Sequence, residues 1–444
     1  MSNKKRQFRG KKPQKQKNII ATKNIEVIDT GLKGDGVGFY QKQPVYINRS
    51  IAGDYVNVRI EKTRDGTLRG CVEDITTPSP NRQEPPCPHY DECGGCSLQH
   101  MKKGHYKEWK TDLLAQALER RGLNSKEFKN TEFIPEHTRR RATFSAYKQN
   151  NKTIIGYHKR RSKNITNITE CLVSHTKILE LKDKIKESIH SLIKDSKPCD
   201  IFIQLIDDQI DLLITGPLET RTQKPELATL ETVAEMAQTY GISRISWRMK
   251  DKDAPELLIE QNPLLKRCGE LSVALPIAAF LQPSAEGEAY LAKTVMENLP
   301  KSGPYADLFS GTGTFAGHMI QNGHVDAYDS EGDAINRLSD AAKTTSKLKA
   351  YERNLFTDPL TAKELNKYKA IVLDPPRAGA KEQAEEIAKA DIDKIIYISC
   401  NPATFARDAE IIMSEGTYNF TSAQVVDQFI WSHHIEVIGI FEKK

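Results

Sequence analysis

The chain has 444 residues, a formal net charge of +6 and 38 % hydrophobic residues. This length predicts two to four domains and a sizeable buried core. The longest apolar run, Val273 to Leu281, is far shorter than the ~18 residues of a membrane-spanning helix, and the N-terminus has no apolar signal-peptide core. We therefore expect a cytoplasmic monomer with no membrane partner and no disulfide framework among its eight cysteines.

A basic tail opens the chain. Residues 1–18 contain eight Lys or Arg residues and no acidic residue, so their positive charge exceeds the net charge of the whole chain. We expect a disordered arm that attracts polyanions without sequence preference. An arm that only increases solubility is the alternative interpretation.

Residues 19–77 predict a small β-barrel. Short apolar and β-branched stretches alternate with Gly and Asp, a spacing typical of closely connected strands. The predicted strands are Ile25–Ile28, Gly36–Phe39, Val45–Ile47, Asp54–Ile60 and Thr67–Ile75. Prolines at residues 78–86 then indicate a linker.

A cysteine cluster follows this linker. Its members are Cys87, Cys93 and Cys96. Two glycines separate the last two cysteines and let the backbone wrap closely around a bound group. Tetrahedral thiolate sites take four ligands, and Cys171 is the best candidate for the fourth, with His89 and His100 as alternatives. We expect a metal here, and the spacing alone does not separate structural zinc from an iron–sulfur cluster.

The region after the cluster predicts mixed α and β structure, with helical stretches at Gly104–Arg121 and Thr176–Lys194. A hairpin is predicted between them, with strands Ala142–Tyr147 and Thr153–Tyr157. Nine Lys or Arg residues and no acid lie between residues 138 and 164, interleaved with Phe144, Tyr147 and Tyr157. Such a surface suits phosphate contact and base stacking on RNA. A solvated hairpin whose aromatic residues belong to the core is the alternative.

From about Gly269 strands alternate with helical patterns, which predicts a doubly wound, mostly parallel sheet. A short strand ends at Asp307, and Gly311 and Gly313 follow before a helix. Glycines in this position allow a cofactor to approach the backbone at a helix N-terminus. Asp329, at the end of the next predicted strand, suits the hydroxyls of a ribose. Nicotinamide cofactors also fit this pattern, although they usually require a third glycine where Ala316 stands here.

Two further strands end in residues that suit catalysis. Asp374 follows an apolar strand and precedes two prolines, which stiffen the next turn. Cys400 follows the apolar strand Lys394–Ser399 and precedes the turn signal Asn401-Pro402. Because parallel strands end at the same edge of a sheet, both side chains are expected where ligands bind in open α/β folds. Cys400 is therefore a candidate nucleophile, and a buried structural thiol is the alternative.

Taken together, these motifs resemble those of one family. Cys-x5-Cys-Gly-Gly-Cys, Asp-Leu-Phe-Ser-Gly-Thr-Gly-Thr-Phe, Asp-Pro-Pro-Arg-Ala-Gly, Ser-Cys-Asn-Pro-Ala-Thr-Phe-Ala-Arg-Asp and a terminal His-Ile-Glu occur in this order. That order resembles the bacterial RNA uracil-C5 methyltransferases, most closely the 23S rRNA enzymes with a TRAM barrel and an iron–sulfur domain. After the basic tail at 1–18, the resemblance implies an OB-like TRAM β-barrel at 19–77, a central α+β iron–sulfur domain at 78–268 and a Rossmann-like class I methyltransferase domain at 269–444.

The resemblance also implies roles for individual residues. It implies that Cys400 is the nucleophile and Glu436 the base that removes the C5 proton. The implied contacts to S-adenosyl-L-methionine are Gln282, Phe309, Thr314, Asp329, Asn354 and Asp374. The implied ligands of a [4Fe-4S] cluster are Cys87, Cys93, Cys96 and Cys171. Thr314, Asp329 and Ser284 stand where the family usually has Asn, Glu and Asn, and none of these departures removes the chemistry.

The resemblance favours a uracil in 23S rRNA as substrate, either in free RNA or in an assembling large ribosomal subunit. Three alternatives stay open: a tRNA uracil-C5 methyltransferase, an RNA cytosine-C5 methyltransferase and a non-catalytic ribosome-assembly factor. Cytosine enzymes typically place their cysteine in a Pro-Cys turn. Here Arg377 follows the two prolines and the cysteine comes one strand later.

Overall fold

A computed structural model describes residues 19–124, 126–149, 151–221 and 224–444. The basic tail predicted at residues 1–18 lies outside the described residues. Two compact units are present. The first contains the described residues up to Glu84 together with Ser97–Lys102, and the second contains Pro85–Cys96 and Lys103–Lys444.

The first unit is a curled β-sheet. Its strands are β1 (Ile19–Glu26), β2 (Asp29–Thr30), β3 (Gly36–Tyr40), β4 (Gln43–Asn48), β5 (Tyr55–Lys62) and β6 (Leu68–Thr77). They lie in the order β1-β5-β6-β4-β3-β2. A Cβ on Gly38 would lie 2.3 Å from Ile25 Cγ2 and 2.8 Å from the Glu26 carbonyl oxygen. Glycine at this position therefore allows β3 to approach β1, as a sheet that curls towards a barrel requires. The first strand begins earlier than the sequence predicts.

The second unit begins with a helix and a mixed sheet. Its first elements are α1 (Lys103–Glu119), β7 (Glu127–Phe128), β8 (Glu132–Phe133), β9 (Arg141–Gln149), β10 (Lys152–His158), β11 (Ile165–Asn167), α2 (Thr176–Lys184), α3 (Lys186–Leu192), β12 (Pro198–Ile206), β13 (Gln209–Thr215), α4 (Leu227–Tyr240), β14 (Arg244–Arg248) and β15 (Glu256–Glu260). The strand order is β11-β10-β9-β12-β13-β14-β15. Apolar residues of α2, α3 and α4 pack on this sheet. The helical stretch predicted at 176–194 consists of two helices that meet at Ile185.

The basic hairpin is present as β9 and β10, but two of its aromatic residues do not face solvent as an RNA platform would. Phe144 is fully buried, and its ring stacks on that of half-buried Tyr157 at a centroid distance of 4.9 Å. The Tyr157 hydroxyl is 3.0 Å from Ser174 Oγ. The prediction that these two aromatics stack on bases is therefore wrong, because their rings complete the core.

The remaining elements form a doubly wound sheet. They are β16 (Leu265–Cys268), β17 (Leu271–Ala274), α5 (Ala285–Asn298), β18 (Tyr305–Leu308), α6 (Ala316–Met319), β19 (Val325–Asp329), α7 (Gly332–Ala342), β20 (Leu348–Glu352), α8 (Ala362–Leu365), β21 (Ala370–Leu373), α9 (Lys381–Ala388), β22 (Lys394–Ser399), α10 (Pro402–Met413), β23 (Tyr418–Asp427) and β24 (Glu436–Lys443). The strand order is β20-β19-β18-β21-β22-β24-β23-β7, and β8 also pairs with β23. The predicted mostly parallel sheet is confirmed, with β24 antiparallel to both of its neighbours.

Two features of this sheet position a site. The strand order reverses between β18 and β21, and open α/β sheets bind ligands in the crevice at such a switch point. The antiparallel strand β24 pairs Val437 with Ser399 of β22. Its first residue, Glu436, therefore stands across from the residue that follows β22, which is Cys400. Within the described part of the chain, no helix is both long and apolar enough to cross a membrane.

Candidate active site

The glycine-rich loop after β18 has the geometry of a ligand cradle. Phe309, Gly311 and Gly313 adopt positive φ angles of 62°, 52° and 80°. A Cβ on Gly313 would lie 2.5 Å from Leu338 Cδ1, so this glycine allows α7 to pack closely. A Cβ on Gly311 would meet nothing within 4 Å. The loop therefore packs closely against α7 at Gly313 and leaves open space beside Gly311.

A buried carboxyl lies at the base of this loop. Asp307 Oδ2 accepts a hydrogen bond from the Ala316 amide at 2.8 Å. Burial raises the pKa of Asp307 to about 8, and the charges of Asp374 and Asp329 act in the same direction. Within the described residues, Asp307 Oδ1 and Ser310 Oγ are buried polar atoms without a hydrogen-bond partner. Such atoms are rare in folded proteins and are consistent with a polar ligand in the crevice.

Asp329 clamps the loop to the end of β19. Its Oδ2 accepts from the Gly311 amide and its Oδ1 from the Glu331 amide, both at 2.8 Å. Each carboxylate oxygen retains a second lone pair, so contact with a ribose hydroxyl is compatible with this clamp.

The other proposed cofactor contacts on this side of the crevice are held by polar or aromatic neighbours. The Thr314 hydroxyl accepts a hydrogen bond from buried Lys266 Nζ at 2.7 Å. The ring of Phe309 lies 5.4 Å from that of Phe356. Asn354 Oδ1 accepts from the Phe356 amide at 3.1 Å, so the loop that carries Asn354 also positions this aromatic pair.

A chain of side-chain hydrogen bonds connects two carboxylates across the sheet edge. Gln282 Nε2 donates to Asp374 Oδ2 at 2.9 Å. Gln428 Nε2 donates to Gln282 Oε1 at 2.8 Å and to Glu436 Oε2 at 3.0 Å. Asp374 and Glu436 are therefore joined through two amide groups.

The carboxyl groups of Asp374 and Glu436 both retain their protons to higher pH than ordinary carboxyl groups do. Burial raises the pKa of Asp374, and the hydrogen bond from Gln282 opposes this effect. Burial raises the pKa of Glu436 well above its usual range, and the charge of Asp374 acts in the same direction. The hydrogen bond from Gln428 opposes that rise. A carboxylate with a raised pKa is suited to accept a proton near neutral pH.

Cys400 lies half-buried beside these carboxyls, at the end of β22. Burial raises the pKa of its thiol to about 11, the charges of Glu436 and Asp374 add to the rise, and Arg377 opposes it through its charge and a hydrogen bond. Asn401 fixes the loop, because its side chain caps α10 through the Ala403 amide at 3.1 Å and donates to the Arg377 carbonyl at 3.0 Å. The Asn-Pro turn signal is thus the first turn of α10, with Pro402 at its start.

His434 is paired with the same arginine. Arg377 Nη2 lies 3.2 Å from His434 Nε2. Burial lowers the pKa of His434 to about 4, with His433 and Arg377 acting in the same direction. The imidazole is therefore neutral at neutral pH and serves as an acceptor for the guanidinium.

The four cysteines proposed as cluster ligands are all half-buried. Cys93 interacts electrostatically with Cys171 and Cys87, and its sulfur accepts a hydrogen bond from the Gly95 amide at 3.3 Å. Cys171 Sγ accepts from the Ser174 amide at 3.4 Å. His89, an alternative ligand, is committed to Thr169, whose amide lies 3.1 Å from Nε2. Across the described ranges, no group of three or more His, Cys, Asp or Glu side chains has metal-binding geometry.

Known proteins resemble this chain in sequence and in fold. The family model described as tRNA (Uracil-5-)-methyltransferase matches residues 329–444, and the TRAM domain model matches residues 16–72. An uncharacterized RNA methyltransferase of Brucella suis is 34 % identical over 425 residues, which cover 95 % of this chain and 98 % of the relative. The chain belongs to the RNA uracil-C5 methyltransferase family.

A further relative and one solved structure are also similar to this chain. The 23S rRNA (uracil(1939)-C(5))-methyltransferase RlmD of Vibrio parahaemolyticus is 28 % identical over 422 residues, covering 92 % of this chain and 93 % of the relative. The crystal structure of the tRNA (uracil-54, C5)-methyltransferase of Pyrococcus abyssi, in complex with S-adenosyl-L-homocysteine, has a TM-score of 0.70. It is 18 % identical, covers 94 % of this chain and 99 % of the archaeal chain, and thus shares the fold.

Several side chains form hydrogen bonds beside the crevice that no sequence pattern predicted. Lys266 bonds both Thr314 and Glu288, the latter at 2.9 Å. Arg140, counted among the basic residues of the hairpin region, instead donates to the Gln282 carbonyl at 2.9 Å and to Glu288 at 2.6 Å. Ser284 caps α5 through the Gly287 amide at 3.0 Å. These residues support the cofactor side from within the protein.

A buried ion pair supports the loop that precedes Glu436. Lys110 Nζ of α1 donates to Asp427 Oδ1 at 2.9 Å and also to the His434 carbonyl, and the Tyr106 hydroxyl donates to Asp427 Oδ2. The Trp431 amide donates to the Tyr106 oxygen at 3.0 Å. The methyltransferase thus fixes both ends of this loop on α1, a contact between positions more than 300 residues apart.

Proposed function

We propose that this protein methylates C5 of a uracil in RNA, with S-adenosyl-L-methionine as methyl donor, Cys400 as nucleophile and Glu436 as base. The observation that carries the proposal is the strand register. Ser399 pairs with Val437, so Cys400 and Glu436 stand across from one another beside Asp374. The mutual influence of their charges supports a shared pocket.

The residues of the crevice fit S-adenosyl-L-methionine. Unpartnered polar atoms on Asp307 and Ser310 offer partners to its polar groups, and the open position at Gly311 leaves room for close approach. The residues that would hold it are Gln282, Phe309, Thr314, Asp329, Asn354 and Asp374. When bound, this cofactor supplies an electrophilic methyl group on a sulfonium.

Cys400 would begin the reaction because uracil C5 is a poor nucleophile. Its sulfur forms a bond to C6, and the C5–C6 π electrons move into an enolate that makes C5 nucleophilic. C5 would then be able to take the methyl group, with the electron pair of the broken carbon–sulfur bond left on the sulfur of the donor. Before the addition the thiol must lose its proton to solvent water, and Arg377 favours the resulting thiolate while the two neighbouring carboxylates disfavour it.

Glu436 would complete the reaction. Its carboxylate removes the proton from C5, the C5–C6 double bond re-forms, and the bond from C6 to the Cys400 sulfur breaks. Burial and the Asp374 charge raise the pKa of Glu436, which makes it a stronger base than an exposed glutamate. The target base must leave its stack to reach a thiol at the sheet edge, as enzymes that modify bases require.

The proposed substrate is a uracil of 23S rRNA, as free RNA or in an assembling large subunit. The similarity to the Vibrio enzyme over 92 % of this chain supports it. The test uses the purified protein with labelled cofactor and either 23S rRNA or tRNA lacking 5-methyluridine. We expect label as 5-methyluridine in 23S rRNA. Label in tRNA alone would show that tRNA, not 23S rRNA, is the substrate. Label as 5-methylcytidine would show that cytosine, not uracil, is methylated. Label in neither RNA would overturn both the proposed substrate and the proposed reaction.

A prediction concerns the cofactor loop. Gly311→Ala places a methyl group where the cofactor approaches, so we expect at least tenfold weaker binding of S-adenosyl-L-methionine by titration calorimetry. Gly241→Ala is the matched control, because Gly241 also has positive φ (64°) and open space around its Cβ position. Both variants should lose about 1 kcal/mol of stability from the left-handed backbone. Equal cofactor affinity in the two variants would contradict the proposed binding site.

We also propose that Cys87, Cys93, Cys96 and Cys171 hold a [4Fe-4S] cluster. The donor chemistry fits, since thiolates are the usual ligands of these clusters, and Cys93 interacts with two of the other three. Protein purified without oxygen should contain iron and acid-labile sulfide in the proportion of the formula. Cys93→Ser should lose most of both, whereas Cys71→Ser, a half-buried cysteine of the first unit, should retain them. Zinc in place of iron in the unmodified protein would refute the cluster.

A further inference from the structure

Gln428 occupies an unusual position between two polar side chains of the site. It is 4 % exposed and follows β23, which pairs with β24 so that Val426 stands opposite Glu436. Its Nε2 carries two hydrogens, and each has an acceptor: Gln282 Oε1 at 2.8 Å and Glu436 Oε2 at 3.0 Å. Both donors of this buried amide are therefore used within the site.

This arrangement fixes the direction of the whole hydrogen-bond chain. Because Gln428 donates to the oxygen of the Gln282 amide, the nitrogen of Gln282 must face the other way, where it donates to Asp374. If the Gln282 amide were reversed, its NH2 group would face the NH2 group of Gln428. Its carbonyl oxygen would then face the Asp374 carboxyl group. The orientation of Gln282 thus depends on Gln428.

The opposite end of the Gln428 amide shows how the side chain is held. A Cβ on Gly287, in the first turn of α5, would lie 2.5 Å from Gln428 Oε1 and 3.1 Å from its Cβ. Within the described residues, this Oε1 is buried without a hydrogen-bond partner. The amide is thus oriented by its two donors and by close packing on Gly287, so reversing it would forfeit both hydrogen bonds.

We propose that Gln428 is a positioning residue that holds the Glu436 carboxylate for proton removal and, through Gln282, sets the donor that faces Asp374. The inference rests on the proposed function of Glu436 as base. A hydrogen bond donated to a carboxylate stabilises its charged form, and this bond opposes the burial that raises the pKa of Glu436. Asp374, Arg377 and Cys400 are the titratable or charged groups that interact with Glu436.

Gln428→Met tests this role, because methionine retains the volume and removes both donors. Without the donor the carboxylate should require a higher pH to ionise, so the acid limb of the rate of C5 proton removal should move up by about one pH unit. In single turnovers with uracil-containing RNA, the variant should accumulate covalent RNA–protein complex near neutral pH. This complex should decline as the pH rises. A structural defect alone would lower the rate equally at all pH values.

Gln424→Met is the matched control. Gln424 is also buried on β23, but its Nε2 donates to the Asn130 carbonyl and the Tyr290 hydroxyl, outside the site. Its pH profile should coincide with that of the unmodified protein. Gly287→Ala, which presses on Gln428 without replacing it, should shift the profile in the same direction by a smaller amount. It serves as the second variant if Gln428→Met does not fold.

The outcomes separate this role from the proposed function. If Glu436→Gln accumulates covalent complex while Gln428→Met and Gly287→Ala follow the unmodified pH profile, the role of Gln428 is overturned and the function stands. If no variant forms a covalent complex and the unmodified protein transfers no methyl group to uracil, the proposed function fails instead.

Discussion

Replacing Cys400 by alanine should abolish methyl transfer, with a rate loss of roughly 10⁴- to 10⁶-fold, as for other enzymes that lose their nucleophile. The physical reason is that uracil C5 is a poor nucleophile until a sulfur adds at C6. Cys400 is half-buried at a strand end, so removing its sulfur leaves a small gap and little loss of stability. The measurement is methylation of 23S rRNA under single-turnover conditions, beside thermal unfolding.

A covalent adduct gives a second readout for the same variant. RNA synthesised with 5-fluorouridine carries fluorine at C5 and has no C5 proton to release. The unmodified protein, incubated with this RNA and the cofactor, should therefore stay covalently attached to it and migrate slowly in denaturing gels. Cys400→Ala should form none of this species. Cys71→Ala is the control, since Cys71 is also half-buried but belongs to the first unit. An undiminished adduct in Cys400→Ala would assign the nucleophile to another residue.

Replacing Glu436 by glutamine should arrest the reaction after methyl transfer. The amide cannot accept the C5 proton, so methylated RNA should stay bound to Cys400 and free 5-methyluridine should form about 10²- to 10⁴-fold more slowly. Here the covalent complex should appear with ordinary uracil, without fluorine. The measurement is a time course of covalent complex and free product from labelled cofactor.

Glu442→Gln is the matched control for this arrest. Glu442 lies on the same strand and forms an ion pair with Lys394 at 2.7 Å, away from the sheet edge that carries Cys400. Its variant should release product at the unmodified rate. Rapid product release by Glu436→Gln would show that another group removes the proton, and Asp374 would then be the first residue to examine.

Local patterns in the sequence identified most of the site. Asp307, Asp374 and Cys400 each follow a short apolar run, and the glycines and prolines beside them define turns. These signals depend on neighbours in the chain, which is why the order of strands and loops in the C-terminal region could be predicted. Burial of the aromatic residues in the basic hairpin was only the alternative interpretation, because alternation along a strand does not reveal which of its faces another layer covers.

The sequence by itself determined the glycine-rich loop, the strand-end cysteine and carboxylate, and the resemblance that singles out Glu436. Only the tertiary structure decided how these groups meet. β24 runs antiparallel to β22 and β23, which brings Glu436 opposite Cys400 and next to Gln428. The chain from Asp374 through Gln282 and Gln428 to Glu436 joins four separate segments. Hydrogen bonds between such segments depend on strand order and register, and no local pattern specifies either.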